Sequence, residues 1–193
     1  MTGNPAVRKT ERKRMLIAGH NSIQGQQKMK LRVLDIVEDT TVDGPGFRTS
    51  IYLAGCRHRC PGCHNPESWR EDGGEDVSID ELMQVIVNDP FAGVTLSGGD
   101  PLLQAEGCAE LCRRVKAETD KTVWCYTGFT WEQLMEEADA DVMALLRNVD
   151  VLVDGPFVLA LRDTDLLFRG SSNQRLINVP ESLSRGEVVI WHR

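Results

Sequence analysis

Three cysteines stand within eight residues of one another in the first third of the chain. Cys56, Cys60 and Cys63 have the spacing C-x3-C-x2-C. Three thiolates on one tight loop can each hold one iron of a cubane cluster, which leaves the fourth iron without a protein ligand. An open iron suits the binding and activation of a substrate better than the storage of electrons. These cysteines are therefore candidate ligands of a reactive iron–sulfur cluster.

Three other chemistries fit parts of the same segment. His64 could complete a Cys3His zinc site, although adjacent Cys63 and His64 are awkward ligands for one tetrahedron. The segment Cys60-x-x-Cys63-His64 also matches c-type haem attachment, and the Cys60–Cys63 pair matches a redox dithiol that would leave Cys56 unexplained. The remaining cysteines, Cys108, Cys112 and Cys125, are expected to pack in the core as small apolar side chains.

A second candidate site follows a short predicted strand. Gly98 and Gly99 allow a ligand to approach the backbone closely, and Asp100 adds a carboxylate that can accept from an ammonium group. A glycine pair after a strand is also an ordinary turn, and the segment matches neither a P-loop nor a G-x-G-x-x-G fingerprint. Its interest lies in its place, one strand–helix unit after the cysteine loop.

The elements that must position these residues alternate between strand and helix. Strands are predicted over 31–37, 48–53, 93–97, 122–126, 149–153, 176–179 and 187–191. Helices are predicted over 79–88, 104–118 and 131–148, the first and third opened by the capping boxes Ser78-x-x-Glu81 and Thr130-x-x-Gln133. This order predicts an α/β fold, a partial (β/α) barrel of mostly parallel strands, with function gathered at the C-terminal ends of the strands.

The length and charge of the chain limit the number of domains and the kinds of partner that it can have. The chain has 193 residues, enough for one domain, expected over 29–193. Residues 1–30 hold seven basic residues and one acid, whereas the rest holds 15 basic and 28 acidic residues. We expect residues 1–28 to be a disordered basic arm, and the acidic remainder argues against nucleic-acid binding. Without a long apolar run or a secretory signal, the protein is expected to be soluble and cytoplasmic, with no membrane partner.

Taken together, these motifs resemble the radical S-adenosylmethionine superfamily, and within it the small glycyl-radical-activating enzymes. Further segments similar to theirs are DGPGFRT (43–49), CHNPESW (63–69), YTGF (126–129), DVLVDGPF (150–157) and RGSSNQR (169–175). The resemblance is strongest to activators of anaerobic ribonucleoside-triphosphate reductase, in which Cys60-Pro61-Gly62-Cys63 and Gly99-Asp100 are typical. Pyruvate formate-lyase activators usually have Asp-x-Lys at Asp154-Gly155-Pro156. Residues 1–28 depart from the family pattern.

The resemblance implies a reaction and a set of partners. Cys56, Cys60 and Cys63 would ligate a single [4Fe–4S] cluster whose open iron binds S-adenosylmethionine. Electron transfer would then yield a 5′-deoxyadenosyl radical, which takes a hydrogen from a glycine of the partner reductase. An activator of another glycyl radical enzyme, such as pyruvate formate-lyase, remains an alternative. A structural metal-binding module without catalytic activity is a second alternative.

The resemblance also implies roles for individual residues. Gly98, Gly99 and Asp100 would orient the methionine end of S-adenosylmethionine, and Gly62, Cys63 and His64 would lie near the adenine. Asp154 would lie near the ribose or a bound cation, the alternative being a solvated loop carboxylate. A basic patch of Arg48, Arg57, Arg59 and Arg70 is expected either to dock an acidic electron donor such as reduced flavodoxin or to be ordinary solvated surface.

Overall fold

The computed structural model describes residues 29–192. The basic arm predicted over residues 1–28 lies outside the described part. The strands are β1 Lys30–Thr40, β2 Arg48–Leu53, β3 Glu75–Ser78, β4 Gly93–Gly98, β5 Val123–Tyr126, β6 Val151–Asp154 and β7 Arg175–Asn178. The helices are α1 Ile79–Asn88, α2 Ala105–Glu118, α3 Trp131–Glu137, α4 Ala140–Leu146 and α5 Val179–Arg185. None of these helices is long and apolar enough to cross a membrane.

All seven strands form one sheet, in the order β3-β1-β2-β4-β5-β6-β7. The four central strands, β2, β4, β5 and β6, pair in parallel, and the three outer pairings are antiparallel. The predicted α/β class is therefore confirmed, with parallel strands in the middle of the sheet. The order is linear, and no pairing between β3 and β7 joins its ends within residues 29–192, so a partial barrel stays a prediction. The C-terminal ends of the four parallel strands meet at one edge.

The two faces of the sheet differ in chemistry because side chains alternate along each strand. In β2, Ile51 and Leu53 point to the helices and belong to the main apolar core, which also contains buried side chains of α1 and α2 such as Leu82 and Leu111. On the opposite face β2 carries Arg48, Ser50 and Tyr52. The polar face is the one left for a ligand. The three cysteines predicted to pack, Cys108, Cys112 and Cys125, are all fully buried in the main core, which confirms that prediction.

One member of the predicted basic patch does not lie at the surface. Arg48 is 1% exposed. Its guanidinium donates to Thr95 Oγ1 at 3.0 Å and to Thr122 Oγ1 at 2.7 Å, and its Cζ lies 5.7 Å from the centre of the Trp124 ring. Burial lowers the pKa of Arg48 to about 10, which still leaves it charged at neutral pH. The prediction of Arg48 as a docking residue is therefore wrong. Arg48 is the first residue of β2, and its side chain points to the polar face of that strand.

The single helix predicted over 131–148 is in fact two helices. Ala138 ends α3 in a left-handed conformation, with φ of 45°. Asp139 then caps α4 by accepting from the backbone N–H groups of Asp141 and Val142, both at 3.0 Å. The apolar spacing continues across the break, which is why periodicity alone does not reveal it.

Three short elements also differ from the sequence prediction. The predicted strand 187–191 is reduced to a single bridge between Ile190 and Ile177. The edge strand β3 and the helix α5 were not predicted. In α5, Asn178 supplies the N-cap by accepting from Glu181 N at 3.2 Å, and Gly186 ends the helix with φ of 71°.

Candidate functional site

A cleft of about 550 Å³ opens at the C-terminal ends of the parallel strands. Most residues predicted to do chemistry line it together: Cys56, Cys60, Cys63, His64, Gly98, Gly99 and Asp100. Gly62 and Asp154 are not among the lining residues, although Gly155 is. The cysteine loop (56–63) and the glycine segment (98–100) are at least 35 residues apart in the sequence. In the fold they face the same cleft.

The cysteine loop leaves β2 and is closed by backbone hydrogen bonds. Gly55 N donates to Ser68 O at 2.8 Å, and Cys63 N donates to Cys60 O at 3.1 Å to form a tight turn. Gly62 occupies that turn with φ of +77°, a conformation that favours glycine. All three cysteines are partly exposed, in contrast to the three in the core. The loop therefore presents three accessible sulfurs at the edge of the cleft.

The chemistry of the donor set, three thiols on one loop, is compatible with a cluster. Among residues 29–192, no group of three or more His, Cys, Asp or Glu side chains is arranged to hold one metal ion. A cubane cluster takes each thiolate on a different iron, so its ligands need not converge on one point. Burial raises the pKa of the Cys56 thiol, while backbone N–H groups of His58 and Arg59 act in the opposite direction. Metal binding would deprotonate such a thiol outright.

The two glycines of the second motif are needed for backbone packing. Gly98 has φ of +95°, and a Cβ there would lie 2.5 Å from Leu53 N. A Cβ on Gly99 would lie 2.2 Å from Gly55 O. Two backbone hydrogen bonds fix this approach, Gly99 N to Leu53 O and Asp100 N to Gly55 O, both at 2.7 Å. The glycines thus hold the end of β4 against the start of the cysteine loop.

Asp100 is 1% exposed and its carboxylate is fully used. Oδ1 accepts from Leu102 N at 3.0 Å, and Oδ2 accepts from Gly128 N at 3.0 Å. The Thr127 hydroxyl lies within 3.0 Å of both oxygens, and His58 Nε2 lies 2.9 Å from Oδ2. Four donors match the capacity of a carboxylate. A direct contact with the ammonium of a ligand would have to displace one of them.

Asp154 lies behind the cleft and is also 1% exposed, so its interpretation as a solvated loop carboxylate is wrong. Arg175 Nε donates to Oδ1 at 3.0 Å, and Arg175 Nη2 and Trp131 N both donate to Oδ2. This ion pair between buried Asp154 and partly exposed Arg175 joins the end of β6 and the start of β7 to the start of α3. Arg175 also pairs with the exposed Glu132.

Comparison with known proteins agrees with this arrangement. Residues 42–177, more than half of the chain, match the family described as a 4Fe-4S single cluster domain. A protein of Escherichia coli (strain K12) is 38% identical over 143 residues, covering 69% of this chain and 89% of the relative. The corresponding figures are 40% identity, 69% and 88% for a Haemophilus influenzae protein, and 36%, 70% and 86% for one of Enterobacteria phage T4. All three are named anaerobic ribonucleoside-triphosphate reductase-activating protein.

This chain belongs to the family of anaerobic ribonucleoside-triphosphate reductase-activating proteins. Membership makes it an enzyme with an iron–sulfur cluster. The matched span contains the cysteine loop, the glycine segment and the Asp154 loop. The family resemblance of the sequence is confirmed.

Two cleft residues, Asp43 and Tyr52, have no role predicted from the sequence. Asp43 accepts hydrogen bonds from Ser50 Oγ at 2.8 Å and from Tyr52 Oη at 2.5 Å, and Asp43 and Tyr52 both line the cleft. Burial and the Asp43 carboxylate raise the pKa of Tyr52, which keeps the phenol neutral. The polar alternation of β2, Arg48-x-Ser50-x-Tyr52, is the signal that could have revealed this face.

Arg169 provides a test of whether the cleft fits S-adenosylmethionine. Its Nη1 donates to Gln174 O at 2.8 Å, while its Nε is buried and has no hydrogen-bond partner among the described residues. Arg169 also lines the cleft, so its guanidinium places a positive charge beside this space. A cation there is compatible with the carboxylate of an amino acid ligand.

Proposed function

We propose that this protein activates anaerobic ribonucleoside-triphosphate reductase as a cytoplasmic radical S-adenosylmethionine enzyme. Cys56, Cys60 and Cys63 would hold one [4Fe–4S] cluster. When bound, the cluster and S-adenosylmethionine supply the electron transfer and the 5′-deoxyadenosyl radical that takes a hydrogen from a glycine of the reductase. The observation that carries the proposal is that the three cysteines and Gly98–Gly99 line one cleft in a chain of this family.

The task of the protein chain is to position the ligand and exclude water. The backbone of Gly98 and Gly99 would face the methionine end, and the positive charge of Arg169, which lines the cleft, would lie on the side of its carboxylate. Ser68 fixes the glycine segment, because its Oγ lies 3.0 Å from Gly98 O and 2.6 Å from Asn65 O. Since its own carboxylate is occupied, Asp100 would hold this segment in place.

The adenine end would lie beside Gly62, Cys63 and His64. The His64 ring packs against Phe157, with ring centroids 5.4 Å apart, and both residues line the cleft. A Cβ on Gly62 would lie 2.9 Å from Leu159 Cδ1, so glycine lets the loop close on this side chain. Asp154, buried and paired with the partly exposed Arg175, would shape the neighbouring loop rather than contact the ribose.

The proposal is tested with anaerobically purified protein reconstituted with iron and sulfide. We expect a [4Fe–4S]⁺ EPR signal that shifts on addition of S-adenosylmethionine, followed by release of 5′-deoxyadenosine. Cys60→Ala should lose cluster and cleavage, whereas Cys108→Ala, a matched loss of a thiol from the core, should retain both. Stable zinc, or a cluster that does not respond to S-adenosylmethionine, would instead identify a structural metal-binding module.

The partner is tested by adding the candidate glycyl radical enzymes to the reduced, loaded protein. A glycyl radical EPR signal on anaerobic ribonucleoside-triphosphate reductase, and none on pyruvate formate-lyase, is the expected result. Radical formation only on pyruvate formate-lyase would favour the alternative activator.

We also propose that an acidic carrier such as reduced flavodoxin delivers the electron to the cysteine loop. Arg57 and Arg59 are both exposed on that loop. Glu71 pairs with Arg57 at 3.0 Å, and Asp72 pairs with Arg70 at 2.9 Å, so a carboxylate offsets part of the charge of each of these two side chains. Reversal of charge at Arg57 and Arg59 should slow cluster reduction at low salt; an unchanged rate would refute this docking site.

A further inference from the structure

His58 stands between the first two cluster cysteines and points back into the protein. Its Nε2 lies 2.9 Å from Asp100 Oδ2, and its side chain is 20% exposed. The edge of the ring contacts Phe129, with ring centroids 4.5 Å apart at an interplanar angle of 75°. A Cβ on Gly128 would lie 2.4 Å from His58 Cδ2. The imidazole is therefore seated in a slot that only a glycine at 128 leaves open.

Three backbone segments meet at the carboxylate that receives His58. The cysteine loop contributes His58 itself. The segment after β5 contributes Thr127 Oγ1 and Gly128 N, and the segment after β4 contributes Leu102 N and carries Asp100. A buried carboxylate with several donors fixes the donors relative to one another, because loss of any one leaves a buried charge less well satisfied.

We propose that His58 and Asp100 form a clamp that positions the cysteine loop over the Gly98–Gly99 backbone. Both are positioning residues, and Asp100 acts on the ligand through the backbone rather than by contact with its ammonium group. The connection of this clamp to S-adenosylmethionine rests on the proposed function. The clamp itself is a property of the protein chain and can be measured without cluster or ligand.

Two substitutions separate the hydrogen bond from the packing. In His58→Gln the amide can still donate to Asp100, whereas His58→Leu fills the slot without a donor. Arg57→Ala is the matched control, since Arg57 precedes His58 in the same loop, is exposed and forms only a surface ion pair. Asp100→Asn tests the acceptor side.

The first measurement is amide hydrogen exchange of the full chain in its reduced, cluster-free form. Loss of a hydrogen bond to a buried charged group should speed exchange of the Cys56 and Cys63 amides about tenfold in His58→Leu, equivalent to about 1.4 kcal/mol. His58→Gln should stay within about threefold of the unsubstituted protein. Asp100→Asn should also expose the Gly128 amide. If exchange in His58→Leu matches that in Arg57→Ala, no clamp exists.

The second measurement is the affinity of the loaded variants for S-adenosylmethionine, titrated by EPR at equal iron and sulfide content. A clamp predicts that His58→Leu and Asp100→Asn both weaken binding about tenfold and that His58→Gln restores it. Weakening in Asp100→Asn alone would show instead that Asp100 contacts the ligand. If the unsubstituted protein does not bind S-adenosylmethionine, the proposed function fails, while the exchange result still decides whether the clamp exists.

Discussion

Gly99→Ala should be among the most damaging single methyl additions in this protein. The new Cβ would lie 2.2 Å from Gly55 O and 2.8 Å from Gly55 C, both backbone atoms that cannot rotate away. Separating the two segments breaks the hydrogen bonds Gly99 N to Leu53 O and Asp100 N to Gly55 O. Each of these two buried hydrogen bonds costs about 1–3 kcal/mol when it is lost. Alanine lowers the entropy of the unfolded chain and returns about 0.4–1 kcal/mol. The expected net loss is about 3 kcal/mol.

Urea unfolding of the reduced, cluster-free protein measures this loss directly. Gly186→Ala is the control: Gly186 has a positive φ, +71°, and a Cβ there meets nothing within 4 Å. Its cost should be about 1–2 kcal/mol, the price of a left-handed alanine. The two variants separate steric contact from backbone conformation, because Gly99 does not have a positive φ. A free energy of unfolding for Gly99→Ala within 1 kcal/mol of the unsubstituted protein would refute the packing argument.

Three further predictions concern the neighbouring loops. Arg175→Leu should lower the free energy of unfolding by about 3–5 kcal/mol because it leaves buried Asp154 unpaired, whereas Glu132→Gln should cost less than about 1 kcal/mol; urea unfolding compares them. Arg175 lowers the pKa of Glu132 to about 2, below its unfolded value, so the unfolded chain binds more protons between these values and stability should fall as pH drops from 4.5 towards 2. In Glu132→Gln this fall in stability with decreasing pH should be slightly less steep. Gly128→Ala should expel the His58 ring and speed hydrogen exchange in the cysteine loop, and an unchanged exchange rate would contradict the slot.

Local signals in the sequence predict the central elements well. Both capping boxes form: Ser78 Oγ accepts from Glu81 N, and Thr130 Oγ1 accepts from Gln133 N. Among the central strands, β5 and β6 are buried runs whose apolar composition is itself the signal, whereas β2 and β4 alternate between apolar and polar residues. The edge strand β3 was missed because Glu75-Asp76-Val77-Ser78 has little strand propensity and forms by pairing with β1. The break at Ala138 was missed because alanine gives no sign of a left-handed conformation.

The parts of the site that could be predicted are those whose residues are close together in the sequence. The C-x3-C-x2-C loop and Gly98–Gly99 can be recognised from adjacent residues, and they do line one cleft. The burial and pairing of Asp100 and Asp154 could not be predicted, because, apart from Leu102, their partners lie 21–42 residues away in the chain. Whether a carboxylate is buried and paired depends on tertiary contacts. The same holds for Arg48, whose charged side chain is buried against the sheet.

The burial of the six cysteines divides them into two groups with different chemical fates. Cys108, Cys112 and Cys125 are fully buried, and desolvation raises the pKa of each, that of Cys112 to about 12. They remain protonated and inaccessible to oxidants, since the thiolate is the reactive form. Oxidants are therefore expected to react first with the partly exposed cysteines of the cysteine loop. We therefore expect oxidation to fall on a segment outside the apolar core, where a sulfenic acid or a disulfide can be reduced again without unfolding the protein.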